Sequence, residues 1–180
     1  NLNAGLMLIP MGIQNLYHEP PTFNGVERTN IDKYVVPTTW REIGVGISGR
    51  LASYSVNYEF MLVNGFNGYS NGQGKFSGSS GLRSGRQKGA ESYMTKPDFA
   101  ARLNYYGEPG LSLGISAYVG DSESEEYNDL DLDNNIAVLA ADSTIVGINM
   151  FGIDARYKKE ALQLRGQYII ANLSNTEQYN

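Results

Sequence analysis

The polar and apolar residues of this chain alternate in a way that predicts an all-β fold, an antiparallel up-and-down transmembrane β-barrel. Two observations carry that prediction. Period-two segments recur at roughly the ten residues that a tilted strand needs to cross a bilayer. The connections between them alternate between tight reversals, at 51–53, 107–110 and 158–160, and long polar stretches, at 14–40, 65–96, 121–143 and from 172 onward. Short turns on one side and long loops on the other are the plan of an outer-membrane barrel, with the turns periplasmic and the loops extracellular.

The strands follow in order. The first, Leu2–Ile13, is apolar on both faces (Leu2, Ala4, Leu6 and Leu8 against Met7 and Ile9), so its inward side stays open. The second, Glu42–Leu51, separates Ile43, Val45, Ile47 and Leu51 from Glu42, Gly44, Gly46, Ser48 and Arg50. The third sets Val56, Tyr58, Phe60 and Leu62 against Asn57, Glu59 and Met61, and the fourth sets Phe99, Ala101, Leu103 and Tyr105 against Arg102 and Asn104. Leu111, Leu113, Ile115, Ala117 and Val119 share the apolar face of the fifth, opposite Ser112, Gly114, Ser116 and Tyr118. The sixth, Thr144–Tyr157, resolves late into Phe151, Ile153, Ala155 and Tyr157 against Asp154 and Arg156. In the seventh, Leu162, Leu164, Tyr168 and Ile170 oppose Gln163, Arg165 and Gln167. In a membrane barrel the apolar face looks out to lipid and the charged face into the lumen. A soluble sandwich would bury the same apolar face as its core. The length of the apolar runs, the one-sided long loops and the ionic residues repeated on successive inner faces favour the barrel. Glycines on the polar faces (Gly44, Gly46, Gly114) would leave lumen space or permit strong strand coiling.

Composition narrows the classes further. At 41% hydrophobic, without any run of 18 apolar residues, the 180-residue chain cannot be a helical membrane protein. Thirteen Tyr suit the water–lipid boundary, and Trp40 at a loop–strand junction is expected in that aromatic belt. A net charge of -5 argues against nucleic acid as a partner, and zero Cys excludes a disulfide framework. The chain opens on Asn1 with no signal-like segment and ends in a polar stretch. Seven strands would leave two unpaired edges that lipid cannot tolerate, so an internal piece of a single larger barrel domain, unable to fold alone, is expected.

Several strings add a resemblance: GLMLIPMGI (5–13), HEPPTFNGVER (18–28), PTTWREIGVGI (37–47), SGRQKG (84–89) and GLSLGISAYVGDS (110–122). Together they resemble outer-membrane porins related to the phosphate-selective porin O/P family, particularly the versions of Bacteroidetes-type Gram-negative bacteria. The resemblance implies a parent barrel of about sixteen strands, with a homotrimer as one assembly. It also implies passive diffusion of small hydrophilic solutes, anions such as phosphate among them. Outer-membrane lipid and lipopolysaccharide would surround it.

Candidate site residues are then the cations. Arg50, Arg102, Arg156 and Arg165 fall on inner faces, where they would either steer anions or brace the wall by pairing with Glu42, Glu59 and Asp154. The second long loop carries Lys75, Arg83, Arg86, Lys88 and Lys96, with Glu91 the only acid between Lys75 and Lys96. Folded into the mouth it would form a positive constriction; left outside, it would touch lipid phosphates or nothing. The third loop is acidic, and its Asp129, Asp131 and Asp133 imitate a calcium loop that fails at Asn134 and Ala140. His18, Glu19, Pro20 and Pro21 read as a rigid loop brace without a metal set. No catalytic arrangement, cofactor motif or metal centre is expected. The alternatives to a porin are a soluble or surface-attached β-rich binding module and a non-conducting barrel that serves only as an anchor.

Overall fold

The computed structural model describes residues 1–17, 28–89 and 92–179; His18, Glu19, Pro20, Pro21 and Glu91 lie outside the described residues. The chain is predominantly β, 49% strand and 18% helix. Seven strands form one antiparallel sheet in simple meander order: β1 (Leu2–Leu8), β2 (Arg41–Leu51), β3 (Val56–Val63), β6 (Asp98–Tyr105), β7 (Leu111–Asp121), β9 (Gly147–Lys159) and β10 (Leu162–Ser174). A second, small sheet of β4 (Asn67–Ser70), β5 (Gln73–Gly74) and β8 (Glu123–Ser124) belongs to the long connections. So do α1 (Ile13–Leu16), a wide helical turn at Ile31–Val35 and α2 (Asn135–Asp142).

The register preserves the face assignment across every strand. Leu2, Ile47, Phe60, Ala101, Ala117, Phe151 and Ile170 form one continuous row of ladder partners. On this outer face Leu6, Ile43, Val45, Leu62, Phe99, Leu113, Ile115, Ile153 and Tyr168 are also exposed. A soluble monomer rarely leaves an apolar surface of this extent uncovered. β1 is settled by the same register: Leu2, Ala4 and Leu6 pair across outward residues of β2, and Met7 turns inward and is buried. The strand ends at Leu8, and Ile9–Ile13 leave the ladder to run inside.

The limits of the outer apolar face run diagonally. On β1 it climbs to Leu8, on β2 it stops one row lower at Ile43, on β3, β6 and β7 a further row lower at Leu62, Phe99 and Val119, and on β9 and β10 it stops at Phe151 and Ile170 beneath Asn149 and Asn172. The lower limit falls in step, from Leu51 on β2 to Leu162 on β10. Three rows lost over six strand spacings correspond to strands inclined at roughly 35° to the band.

Chain length measures how strongly the sheet curls. Asn3, Gly46, Met61, Ala100, Tyr118, Met150 and Ala171 share one row. Met7 lies four residues from Asn3 toward the loops, and Gln167 four residues from Ala171 toward the turns. On a flat sheet these two would stand roughly 40 Å apart. The stretch from Met7 to Ile13 spans at most about 21 Å, yet the Ile13 amide donates to Gln167 Oε1 at 2.8 Å. The sheet is therefore a deep trough, and the first connection crosses its concave side from β1 to β10.

Candidate functional site

The concave face changes character from the loop end to the turn end. Near the loops, inward Met7, Met61, Val63, Ala100, Tyr118, Ile148 and Met150 meet Ile9, Met11, Val36, Phe66, Phe76 and Leu82 from the long connections. Trp40 sits at the centre, fully buried, its ring 4.5 Å from Phe66 and 4.7 Å from Tyr118. The expectation of Trp40 in an outer aromatic belt is thereby corrected. It precedes β2 on the inward side, and its indole N–H donates to Glu42 at 3.0 Å.

Buried polar groups tie these connections to the wall. Glu42 also accepts from Asn64 Nδ2 at 2.9 Å, while Asn64 Oδ1 accepts the Ile43 amide at 2.6 Å. Asn15 takes the Trp40 amide and donates to the Ile9 carbonyl, both at 2.8 Å. Asp98 accepts from the Tyr118 hydroxyl and from the Asp121 amide. Both Glu123 oxygens accept the Thr95 amide at 2.9 Å. Burying polar groups is tolerable where each finds a partner, and these four clusters meet that condition at the joints.

Below this core the wall carries charge. Arg102 on β6 forks onto Asp154 on β9, at 2.7 and 2.8 Å, reaching over the intervening β7. Gly114 makes that crossing possible, since a Cβ there would lie 2.1 Å from Arg102 Nη2 and 2.5 Å from Asp154 Oδ2. Of the two readings for Arg102, the geometry selects wall-bracing. Arg50 is exposed near the turns, donating to the Tyr106 hydroxyl with its guanidinium 4.5 Å from that ring. Arg156 lies 3.7 Å from the Tyr17 ring and donates to its hydroxyl at 2.6 Å. Arg156, Lys158 and Arg165 line a cavity of about 530 Å³ beside Tyr17 and Tyr106, at the turn end of the trough. Of the four inner-face arginines, Arg102 is thus a buried brace, Arg156 and Arg165 line the turn-end recess with Lys158 and Glu108, and Arg50 lies exposed against Tyr106.

The second loop does not gather its cations as one ring. Arg86 turns inward, donating to the Thr38 carbonyl at 2.7 Å, to Thr39 Oγ1 at 3.1 Å and to the Arg83 carbonyl at 3.2 Å. Partial burial lowers its proton affinity below the ordinary guanidinium value; Arg83 and Arg28 push the same way, and Glu42 opposes them. Arg28, Arg83 and Arg86 therefore form one electrostatic group. Lys88 points to solvent elsewhere on the rim, and Lys75 is half-buried beyond β5. In the acidic loop Asn134 caps α2, accepting from the Ile136 and Ala137 amides, and Asp131 accepts the Asp133 amide, so these side chains serve the local turn.

Arg28, Tyr17, Tyr106 and the Trp40–Glu42–Asn64 cluster escape a reading by strand alternation. They act through partners distant in sequence. Only Glu42, an acid on an inward face two residues from Trp40, gave a local signal.

The chain is similar to an uncharacterized protein of Aquifex aeolicus, 34% identical over 129 residues. That match covers 72% of this chain and 28% of the relative, so the chain spans little more than a quarter of the relative's length. No family model matches, and no solved structure matches.

Proposed function

We propose that this chain is part of the wall of a bacterial outer-membrane β-barrel, a porin through which small hydrophilic solutes, including anions such as phosphate, diffuse passively. The observation that carries the reading is the exposed apolar face with its diagonal limits. A bilayer has flat boundaries, so strands that cross it at an angle must shift their apolar stretch from neighbour to neighbour. The inclination of roughly 35° meets the lower end of the 35–45° usual in outer-membrane barrels. Further strands beyond β1 and β10 would close the barrel, about sixteen in all by the resemblance noted above. Homotrimer formation, contact with lipopolysaccharide and a phosphate preference belong to the same proposal.

Mechanistically, the inward connections narrow the loop end of the passage along this wall. The Arg28–Arg83–Arg86 group would face solutes at that narrowing and favour anions in a low-dielectric passage. The basic recess of Arg156, Lys158 and Arg165 would receive them at the other end. No catalytic step is involved.

Depth dependence tests the membrane part. Ile115→Arg, at the middle of the band, should destabilise the bilayer-inserted protein by about 2–4 kcal/mol, and Leu111→Arg at its lower limit by about 0–1 kcal/mol. Equal losses at both positions in urea titrations would rule out lipid as the contacting medium. Current tests the transport part. In planar bilayers under a salt gradient, Arg83→Gln combined with Arg86→Gln should move the reversal potential toward cation preference. An unmoved potential would remove this group from ion selection. The apolar packing on the concave face favours one other reading, a non-conducting anchor, and a silent bilayer would select it.

A further inference from the structure

The geometry points to a binding surface for phosphate-bearing lipid headgroups at the outer rim above β1 and β2, built on Arg41 and Lys88; it rests on the membrane reading above. Arg41 opens β2, pairs with Leu8 and shares the outward face of Ile43. It is exposed, level with half-buried Leu8 at the top of the apolar face and one row above Ile43.

The second loop brings the other cation to the same place. Lys88 and Gly89 both adopt left-handed backbone conformations, with φ of 60° and 88°. That reversal lays Gly89 over the outward strand face, where a Cβ would stand 2.8 Å from Leu6 Cδ1 and 3.7 Å from Ile43 Cγ1. The loop thus folds over the rim onto two apolar residues near the top of the band. Lys88 is exposed beside this contact. Among the described residues neither Arg41 nor Lys88 has a hydrogen-bonding or ionic partner. Arg86, two residues earlier, is by contrast committed inward to Thr38 and Thr39.

Charge and apolar surface together specify the occupant. Leu6 and Ile43 would meet acyl chains, and the cations directly above them sit where headgroup phosphates lie. A free anion needs no apolar floor, and a protein partner has no reason to follow the slope of the band. Toward β7 and β9 the rim repels phosphate, because the connection between those strands carries Glu125, Glu126, Asp129, Asp131, Asp133 and Asp142. Phosphate-bearing lipid is therefore drawn to the β1–β2 side of this wall.

The test is a titration of the detergent-solubilised full-length protein with phosphorylated lipid A, dephosphorylated lipid A or inorganic phosphate, with bound lipid counted by native mass spectrometry. Phosphorylated lipid A should bind tightest. Arg41→Gln and Lys88→Gln should each weaken it about fivefold, the effect of one cation near an anionic surface, and Lys75→Gln should leave it unchanged. Both altered side chains are exposed and unpartnered, so the variants keep the fold, checked by unaltered heat-dependent mobility in SDS. Equal binding of both lipid A forms, or an Arg41→Gln, Lys88→Gln double variant that binds as the parent does, overturns the headgroup surface while leaving the barrel reading intact. Competition by inorganic phosphate at matching concentration overturns it in favour of a solute site. A protein that stays soluble without detergent and takes up no lipid fails the membrane reading itself.

Discussion

Replacing Asp154 by Ala should destabilise the folded protein by about 3–5 kcal/mol, the usual consequence of stranding one member of a buried ion pair. Arg102 and Asp154 are only 7% and 5% exposed, and their fork spans three neighbouring strands. Without its partner the guanidinium keeps, among the described residues, only a long 3.5 Å contact with Asn104 Oδ1, itself occupied by Ser112 at 2.9 Å. The double change Arg102→Met with Asp154→Leu should recover most of the loss, because a buried pair contributes little over apolar side chains of similar size. Gly114→Val should reproduce the single-variant loss without touching either charge, by filling the space over β7. Urea unfolding of vesicle-inserted protein measures all three. A Gly114→Val protein as stable as the parent would show that the fork does not hold the strands.

Trp40→Ala should cost about 3–5 kcal/mol and should also change the passage. The indole is wholly buried between Phe66 and Tyr118, so its loss empties the centre of the inward core. It also removes one donor to Glu42, leaving a buried carboxyl oxygen without its partner. The connections held by that core occupy the loop end of the trough, and loosening them should raise single-channel current and its noise. Trp40→Phe retains the ring stacking and loses only the N–H, so it should recover most of the stability. An Ala variant that is destabilised yet carries unaltered current would place the solute path clear of these connections.

Strand alternation made most of the wall legible. Faces such as Val45, Phe60 and Leu113 follow from period two alone, because a sheet residue has only two directions to point. β1 resisted since both its faces are apolar: Leu6 looks outward while Met7 enters the inner core. Trp40 was misplaced because a junction residue obeys no alternation, and its direction is set by Phe66 and Tyr118. The arginines were recognised as inward, but whether each steers or braces depends on partners 52 residues away for Arg102 and 139 for Arg156. The spread of the loop cations was invisible for a related reason. The reversal at Lys88 and Gly89 sends neighbouring charges to opposite sides of the rim.

The first connection, which fastens Ile13 to Gln167 across 154 positions of sequence, sets an order of events for maturation. Its amide has no acceptor there until the last hairpin has formed, so the strap must stay undocked while six strands register one after another. Long-range closure of this kind is slow compared with pairing between adjacent strands. Biogenesis should therefore pass through a stage with the wall assembled and its lining still loose, open to proteases at the segment around α1. Final tightening would then proceed from the rear edge back toward the front.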